Sequence, residues 1–376
     1  MGGKSDTTKF AAELPLLLAF VNQGQDLPAN FNSNLSWIDR SRLFNSHEVI
    51  LSLEYAMPIA CVDGGSKFRK NYREAQTTFT KVCEYFTKLG IDLPTLFYWQ
   101  ATEKDKDSAD PTDISFVEHV YAGISVKNKQ APNLKNHGVG KVLKDTVPLP
   151  RGRGQDYFDW ISESTLSSVL IKNVVNKMLD SLSTDTTWSD SGKYSICAKT
   201  PDSFTITNNK KSRTFTRKQL TEGTMSKGWL RVFGDWYQDK NKSQFMAERK
   251  LVDSKIRPIL RSVVKDKIIT NPDYYSSLGA FSTSPYLFIT SDGKIYEVPS
   301  FDKIINELLI EVQDESTESG IFGAGIKFVC SIKRKGNTHG ATVDVHFRYH
   351  QGTFASTVVF MVQNLQSKEQ IWTPIC

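Results

Sequence analysis

The clearest pattern of hydrophobic and polar positions lies in the segment from Lys67 to Leu89. Apolar side chains recur there every three or four residues, at Phe68, Tyr72, Ala75, Phe79, Val82, Phe86 and Leu89. This spacing predicts an amphipathic helix, and Gly90 is a natural residue to end it. The apolar stretch Ser46–Ala60 predicts another helix before it.

The segment that follows this helix predicts short strands. Leu96–Gln100 is one expected strand. Ile114–Val117 and Tyr121–Lys127 form an expected strand pair that bends near Glu118. The polar residues Glu103–Asp110 predict a loop between the first strand and this pair.

The remaining chain alternates between helix and strand patterns. Helices are expected over Asp156–Leu182, Arg249–Lys267 and Phe301–Val312, and strands over Tyr194–Phe215, Tyr286–Ile289, Lys294–Val298 and from Ile326 onward. A turn is expected at Asn208 and Asn209, and the prolines and glycines between Pro148 and Gly154 predict a domain boundary. The pattern therefore predicts a mixed α/β fold with an N-terminal segment (1–44), a core (45–147) and a larger region (148–376) that is richer in β-structure.

Composition narrows the class of protein. With 376 residues, of which 39% are hydrophobic and 23% charged, the chain is long enough for two domains or one large core with an insertion. The five scattered cysteines form no CxxC pair, which disfavours a disulfide framework or a zinc site and fits a cytoplasmic protein. The apolar run Leu16–Val21 is too short to cross a bilayer, so no membrane partner is expected.

Asp113 and Lys127 carry the most informative chemistry. An aspartate that opens one strand and a lysine on the next strand can meet at one edge of a sheet. A carboxylate there can hold a hard cation, and a lysine can sit beside a phosphate under attack. An aspartate before a strand is also a common turn residue, and a strand lysine is commonly solvated, so either residue alone indicates little.

In combination, these residues resemble a known enzyme family. A helix, a strand, a strand with Asp113-Ile114 and a strand ending in Lys127 follow one another as in the PD-(D/E)xK nuclease core. The wording Gly-Ile-Ser-Val-Lys at 123–127, followed by Asn-Leu-Lys-Asn-His-Gly at 133–138, is similar to type II restriction endonucleases. The resemblance covers roughly residues 67–138.

The resemblance implies a restriction-endonuclease-like core, in which a mixed central sheet is flanked by helices. It further implies Mg²⁺-dependent hydrolysis of double-stranded DNA at a short specific site. Asp113 would bind the metal, and Lys127 would position the water and the phosphate. A homodimer would cut both strands of a symmetric site, and a companion methyltransferase would protect the host.

One position departs from the family pattern. Ser125 stands two residues before Lys127, where the family often has aspartate or glutamate. A second carboxylate would then come from elsewhere. Glu74 on the predicted helix is the first candidate, as both a catalytic residue and a metal ligand, and Glu118 and Asp110 are the others.

Three segments predict contacts with DNA. Ser203–Leu220 has several basic residues and no acidic one, among them Lys210, Lys211 and Arg213. The predicted strand 327–335 ends in a basic turn, formed by Lys333, Arg334, Lys335 and Asn337, and this strand end is similar to one in some small restriction endonucleases. Lys135 and Asn136 belong to the amide-rich segment after Lys127. Such residues bind phosphates and base edges, although a solvated hairpin has the same composition.

Two alternatives to a restriction enzyme stay open. A non-specific or structure-specific repair nuclease would share the same core. A non-enzymatic nucleic-acid-binding protein of viral or phage type would keep the basic segments without needing Asp113 and Lys127 to converge. His346 and His350 would share a face only on a helix, whereas their segment predicts a strand, so they do not predict a metal site.

Overall fold

The computed structural model describes residues 4–99, 112–126, 133–138, 188–189, 194–200, 202–208, 211–221, 264–271, 278–290, 292–316, 326–349 and 358–375, and the single residues 229, 243 and 261. Three long helices open the chain: α1 (Lys4–Val21), α2 (Ser46–Ala60) and α3 (Ser66–Leu89). Shorter helices are α4 (Arg217–Thr221) and α5 (Phe301–Ile304), with a π-helical turn at Val264–Ile268 and 3₁₀ turns at Arg40–Arg42, Ile305–Glu307 and Lys368–Gln370. Within these ranges, none of the helices has the length and apolar character needed to cross a membrane.

The strands are β1 (Phe97–Trp99), β2 (Ile114–Phe116), β3 (Gly123–Val126), β4 (Asn133–Gly138), β5 (Trp188–Ser189), β6 (Tyr194–Thr200), β7 (Ser203–Asn208), β8 (Lys211–Thr216), β9 (Tyr286–Ile289), β10 (Ile295–Val298), β11 (Leu308–Ser316), β12 (Ile326–Arg334), β13 (Ala341–Tyr349), β14 (Val358–Gln366) and β15 (Thr373–Pro374). They form three sheets, ordered β1-β2-β3-β9-β10-β15, β11-β12-β13-β14-β4 and β5-β6-β7-β8.

The boundaries of α3 have local causes in the sequence. The carboxylate of Asp63 accepts hydrogen bonds from the N–H groups of Gly65 and Lys67, at 3.1 Å each, and so satisfies donors at the start of the helix. Gly90 ends the helix in the left-handed conformation with a φ of 69°, which costs glycine little. The apolar face of α3 is buried, as the periodicity predicts.

The first sheet is mixed and positions the candidate site. Strands β1, β2 and β3 form an antiparallel meander, β3 then pairs in parallel with β9, and β9, β10 and β15 continue antiparallel. Ile114, Ile124 and Leu287 lie in one row across the sheet and are fully buried beneath α1, α2 and α3. Burial of this row fixes the register, because a shift by one residue would turn each apolar side chain to the other face.

The second sheet is antiparallel throughout and has one strongly apolar face. Phe328, Cys330 and Ile332 on β12 alternate toward a core that β13 and β14 share. β4 completes the sheet by pairing with β14, far from it in sequence. The third sheet is antiparallel too, and Phe204, Ile206 and Phe215 are buried on one of its faces.

Most of the predicted elements that the structure describes are confirmed, including both long helices, the Asp113 strand pair and the strands at 286–289 and 294–298. The mixed α/β fold is also confirmed. The helix predicted over Phe301–Val312 is wrong: α5 ends at Ile304, and β11 begins at Leu308. The run Leu308–Val312 is apolar without strict periodicity, and its pairing with β12 decides the conformation.

Several predictions lie outside the described residues, namely the loop at 103–110, the helix at 156–182 and the first part of the helix at 249–267. The division at residues 44 and 147 stays a prediction. The first sheet nevertheless combines strands from both sides of residue 147, because β3 pairs with β9.

Candidate active site

Asp113 lies immediately before β2, and the hairpin of β2 and β3 holds it in place. Its N–H donates to the carbonyl of Ile124 at 2.8 Å, so the backbone of β3 passes directly beside it. Its carboxylate Oδ2 accepts a hydrogen bond from the N–H of Val126 at 2.8 Å and a longer one from Ser125 Oγ at 3.3 Å. The start of β2 and the end of β3 therefore meet at this carboxylate.

Asp113 is almost completely shielded, with 2% of its surface exposed. A buried carboxylate is stable only when its oxygens accept hydrogen bonds, and the Val126 and Ser125 donors supply them. Both donors are neutral, so they orient the carboxylate without cancelling its charge.

Gly123 permits the close approach of the two strands. Its φ of +148° is a conformation that residues with a side chain rarely adopt. A Cβ at this position would lie 2.1 Å from the carbonyl oxygen of Ile114. The glycine that begins the Gly-Ile-Ser-Val-Lys motif is therefore required by the geometry of the hairpin.

Hydroxyl groups surround the candidate site. Thr112 and Ser125 are buried, and Thr112 Oγ1 lies 3.1 Å from Ser115 Oγ. Sequence reasoning treated Ser125 only as a missing carboxylate and overlooked Thr112 and Ser115. Alternation along β2 places Ser115 on the same face as Asp113, and this signal was present in the sequence.

Lys127, the second predicted catalytic residue, directly follows Val126 but lies outside the described residues, as does Asp110. The structure therefore places the backbone of the residue before Lys127 against Asp113 and leaves the lysine side chain undescribed.

The two predicted carboxylates that the structure describes do not join Asp113. Glu118 is exposed in the bend between β2 and β3, at the opposite end of the hairpin, with a φ of 55°. Glu74 is exposed on α3, which packs on the face of the sheet that carries Ile114, whereas Asp113 bonds to Ser125 on the other face. Neither glutamate makes a hydrogen bond to Asp113 within the part of the chain that the structure describes.

The described residues at this site fit magnesium as a partial ligand set. Mg²⁺ takes oxygen ligands and commonly keeps several waters, with one or two protein carboxylates and substrate phosphates completing its shell. Asp113 offers one carboxylate beside three hydroxyls. Among the described residues, no group of three or more His, Cys, Asp or Glu side chains could hold a metal. The donor chemistry suits a site that substrate would complete.

The predicted DNA-binding residues are dispersed over two sheets. Arg334 forms an ion pair with Glu307, to which its Nε donates at 3.0 Å, whereas Lys335 and Asn337 are exposed in the turn after β12 and Lys333 is half-buried. Lys211 and Arg213 are exposed on β8. The remaining three residues are Lys135 and Asn136, which lie on β4, and Lys210, which lies outside the described residues.

A second buried carboxylate, Asp344 on β13, was not predicted from the sequence. Its Oδ2 accepts from Lys327 Nζ at 2.9 Å and from Asn364 Nδ2 at 2.8 Å. His346 Nε2 lies 3.7 Å from the same oxygen, too far for a hydrogen bond. The pKa of Asp344 lies below its ordinary value, since burial, which raises it, is outweighed by the neighbouring His346, Lys327 and Asn364.

A third polar cluster joins helix α3 to the first sheet. Tyr121 donates to one carboxylate oxygen of Glu297 at 2.9 Å, and Tyr85 donates to the other at 2.5 Å. Burial and the Glu297 charge raise the pKa of both phenols, so they stay protonated donors at neutral pH. The arrangement fastens α3 to the bend of the hairpin and to β10.

Comparison of the chain with protein-family models, with characterised proteins and with solved structures found no significant match. The functional argument therefore depends on the residues and their geometry.

Proposed function

We propose that this protein is a magnesium-dependent endonuclease that hydrolyses double-stranded DNA at a short specific site, as a restriction enzyme does. The hydrogen bond from the Val126 N–H to Asp113 is the observation that carries the proposal. It brings the predicted metal-binding carboxylate next to the residue that precedes Lys127, although the two residues lie on different strands.

The order of elements around this hydrogen bond supports the proposal. A helix, α3, precedes an antiparallel meander of three strands, and a parallel neighbour, β9, follows on the far side of β3. A mixed sheet with helices packed against it is the arrangement that the resemblance to the PD-(D/E)xK core implies. The long segment between β3 and β9 leaves room for recognition elements.

The chemical roles follow from residue type. Asp113 would hold Mg²⁺ through carboxylate oxygens, with Val126 and Ser125 fixing its orientation. When bound, the metal would supply Lewis acidity toward the phosphate and a more acidic water. Lys127 would keep a positive charge beside the scissile phosphate as charge develops there. Two-fold symmetry of a DNA site favours a homodimer, and a specific nuclease would need a companion methyltransferase for protection.

Digestion of a mapped plasmid tests this function. We expect discrete fragments with Mg²⁺ and none in excess EDTA. Asp113→Asn and Lys127→Ala should each lower the cleavage rate by a factor on the order of 10² or more, because each removes a charge at the reacting phosphate. Glu118→Gln is the matched control, since Glu118 lies at the other end of the hairpin, and it should cut at the wild-type rate. A smear of fragments would instead favour a non-specific repair nuclease.

A second candidate is a nucleic-acid-binding protein without catalytic activity, and the burial of Asp113 favours it. A shielded aspartate that accepts a backbone N–H is also a common structural element of a hairpin. In that case Asp113→Asn would lower the melting temperature, and the wild-type protein would bind DNA without cutting it at any metal concentration.

A further inference from the structure

The edge of the third sheet carries a continuous set of hydroxyl groups on one face. This hydroxyl face consists of Thr200, Ser203, Thr205, Thr207, Ser212 and Thr214. Its side chains are exposed or half-buried, whereas Phe204, Ile206 and Phe215 on the opposite face are buried. The hairpin of β7 and β8 thus alternates between apolar and hydroxyl side chains at every position from Ser203 to Thr207.

The hydroxyl groups are arranged as pairs across the strands. Thr205 pairs with Thr214, and Thr207 pairs with Ser212, with oxygens 2.8 Å apart in each case. Thr200 and Ser203 form a third pair, also at 2.8 Å. One hydroxyl proton is used within each pair, so each pair offers a second O–H and several lone pairs to a ligand.

The charge around this face selects the kind of ligand. The segment Ser203–Leu220 contains five basic residues and no acidic one, and Lys211 and Arg213 are exposed on the edge strand β8. Arg213 lies over the Phe215 ring at 5.4 Å, which directs its length along the edge of the sheet. A neutral hydroxyl face bordered by cations is complementary to a polyanion whose surface accepts hydrogen bonds.

Duplex DNA matches the dimensions as well as the charge. A two-stranded ribbon fits a major groove about 12 Å wide. Serine and threonine hydroxyls contact phosphates and base edges, and the threonine methyl can contact thymine. We propose that the hydroxyl face of β7 and β8 docks on duplex DNA, with Lys211 and Arg213 beside the phosphates. The inference rests on the proposed function only in taking DNA as the substrate.

The double variant Thr205→Val/Thr214→Val tests this docking surface, because valine keeps the β-branched shape and removes both hydroxyls. Binding of a fluorescent duplex of mixed sequence is measured in EDTA by anisotropy over a range of salt concentrations. We expect affinity to fall about tenfold, since each lost hydrogen bond contributes roughly 1 kcal/mol. The salt dependence should stay unchanged, because neutral groups release no counterions, whereas Lys211→Ala should lower the slope by about one.

Two further variants guard against misfolding and indirect effects. Thr207→Val/Ser212→Ala removes the neighbouring pair and should have the same effect if the first variant is unstable. Thr77→Val is the matched control, since the Thr77 hydroxyl on α3 donates to the backbone of its own helix. Melting temperatures establish that each variant is folded.

The possible results separate this inference from the nuclease proposal. Wild-type affinity in both folded double variants, or a wild-type protein that does not bind duplex DNA, would overturn the inference. A lower salt slope in Thr205→Val/Thr214→Val would also overturn it, because the effect would then act through charge. Loss of binding in a protein that never cuts DNA would support the surface and reject the nuclease. Normal cleavage with unaltered binding would do the reverse.

Discussion

Two buried aspartates in this protein are held in different ways. Asp113, in the first sheet, accepts hydrogen bonds from a backbone N–H and a serine hydroxyl. Asp344, in the second sheet, accepts from the ammonium of Lys327 and the amide of Asn364. Neutral donors orient a carboxylate, whereas a lysine also cancels its charge. The comparison indicates a structural role for Asp344 and gives Asp113 the chemistry that a metal-binding residue requires.

The largest effect on stability is expected from Gly123→Ala in the Asp113 hairpin. The new Cβ would collide with the Ile114 carbonyl, and the φ of +148° would itself be strained. We expect a loss of about 3 kcal/mol or more in the free energy of unfolding, from steric overlap and backbone strain together. Urea denaturation measures this loss.

Gly336→Ala is the matched control for that prediction. Gly336 also has a positive φ, of +89°, but its Cβ would meet nothing within 4 Å. The cost should therefore be only about 1 kcal/mol, from the backbone conformation alone. Equal costs at both glycines would contradict the close approach of β2 and β3.

An intermediate, pH-dependent effect is expected from Lys327→Met, which removes the charge that offsets Asp344. Lys327 is 30% exposed, so the loss at pH 7 should be about 1–3 kcal/mol, below that for a fully buried pair. Because the folded pKa of Asp344 is lowered, its contribution is fully present above the unfolded pKa, near 3.9, and disappears as pH falls through the folded pKa.

Unfolding free energies of wild type and Lys327→Met, measured at pH 7 and again near pH 2.5, check this behaviour. The two proteins should converge in acid. Lys335→Met, an exposed lysine on the neighbouring turn, should differ little from wild type at either pH. A gap that persists unchanged in acid would mean that Lys327 stabilises the sheet by packing and not by charge.

The smallest effect is expected from Arg334→Gln, at the end of the same strand. Arg334 pairs with Glu307, and both side chains are exposed by more than a third. Exposed ion pairs contribute little, so the loss should be within about 0.5 kcal/mol and should shrink further in high salt. A loss as large as that of Lys327→Met would show that burial does not separate the two ion pairs.

The sequence predicted the parts of the fold that depend on local patterns. The periodicity of Lys67–Leu89 gave α3, and the spacing of Asp113 and Lys127 correctly indicated a hairpin. The burial of Asp113 could not be predicted, because it depends on how β3 and its neighbours pack around the carboxylate. For the same reason Leu308–Val312 was predicted as helix, since an apolar run has no preference until a partner strand is known.

Pairings between distant segments were also beyond the sequence. Nothing near Asn133–Gly138 indicates that this segment joins β14, and nothing near His346 indicates that Lys327 and Asn364 converge on Asp344. The hydroxyl face lies between these extremes. Its alternation is visible in the sequence, but the cross-strand pairing of Thr205 with Thr214 required the structure.

The parallel pairing of β3 with β9 has a consequence for how the protein folds. Ile124 pairs with Leu287, so the strand that holds Ser125 and Val126 gains its second neighbour only when a very long loop closes. Such closure is entropically costly and slows folding. We therefore expect the pocket around Asp113 to mature as one of the later events in refolding, after the helices and the local hairpins have formed.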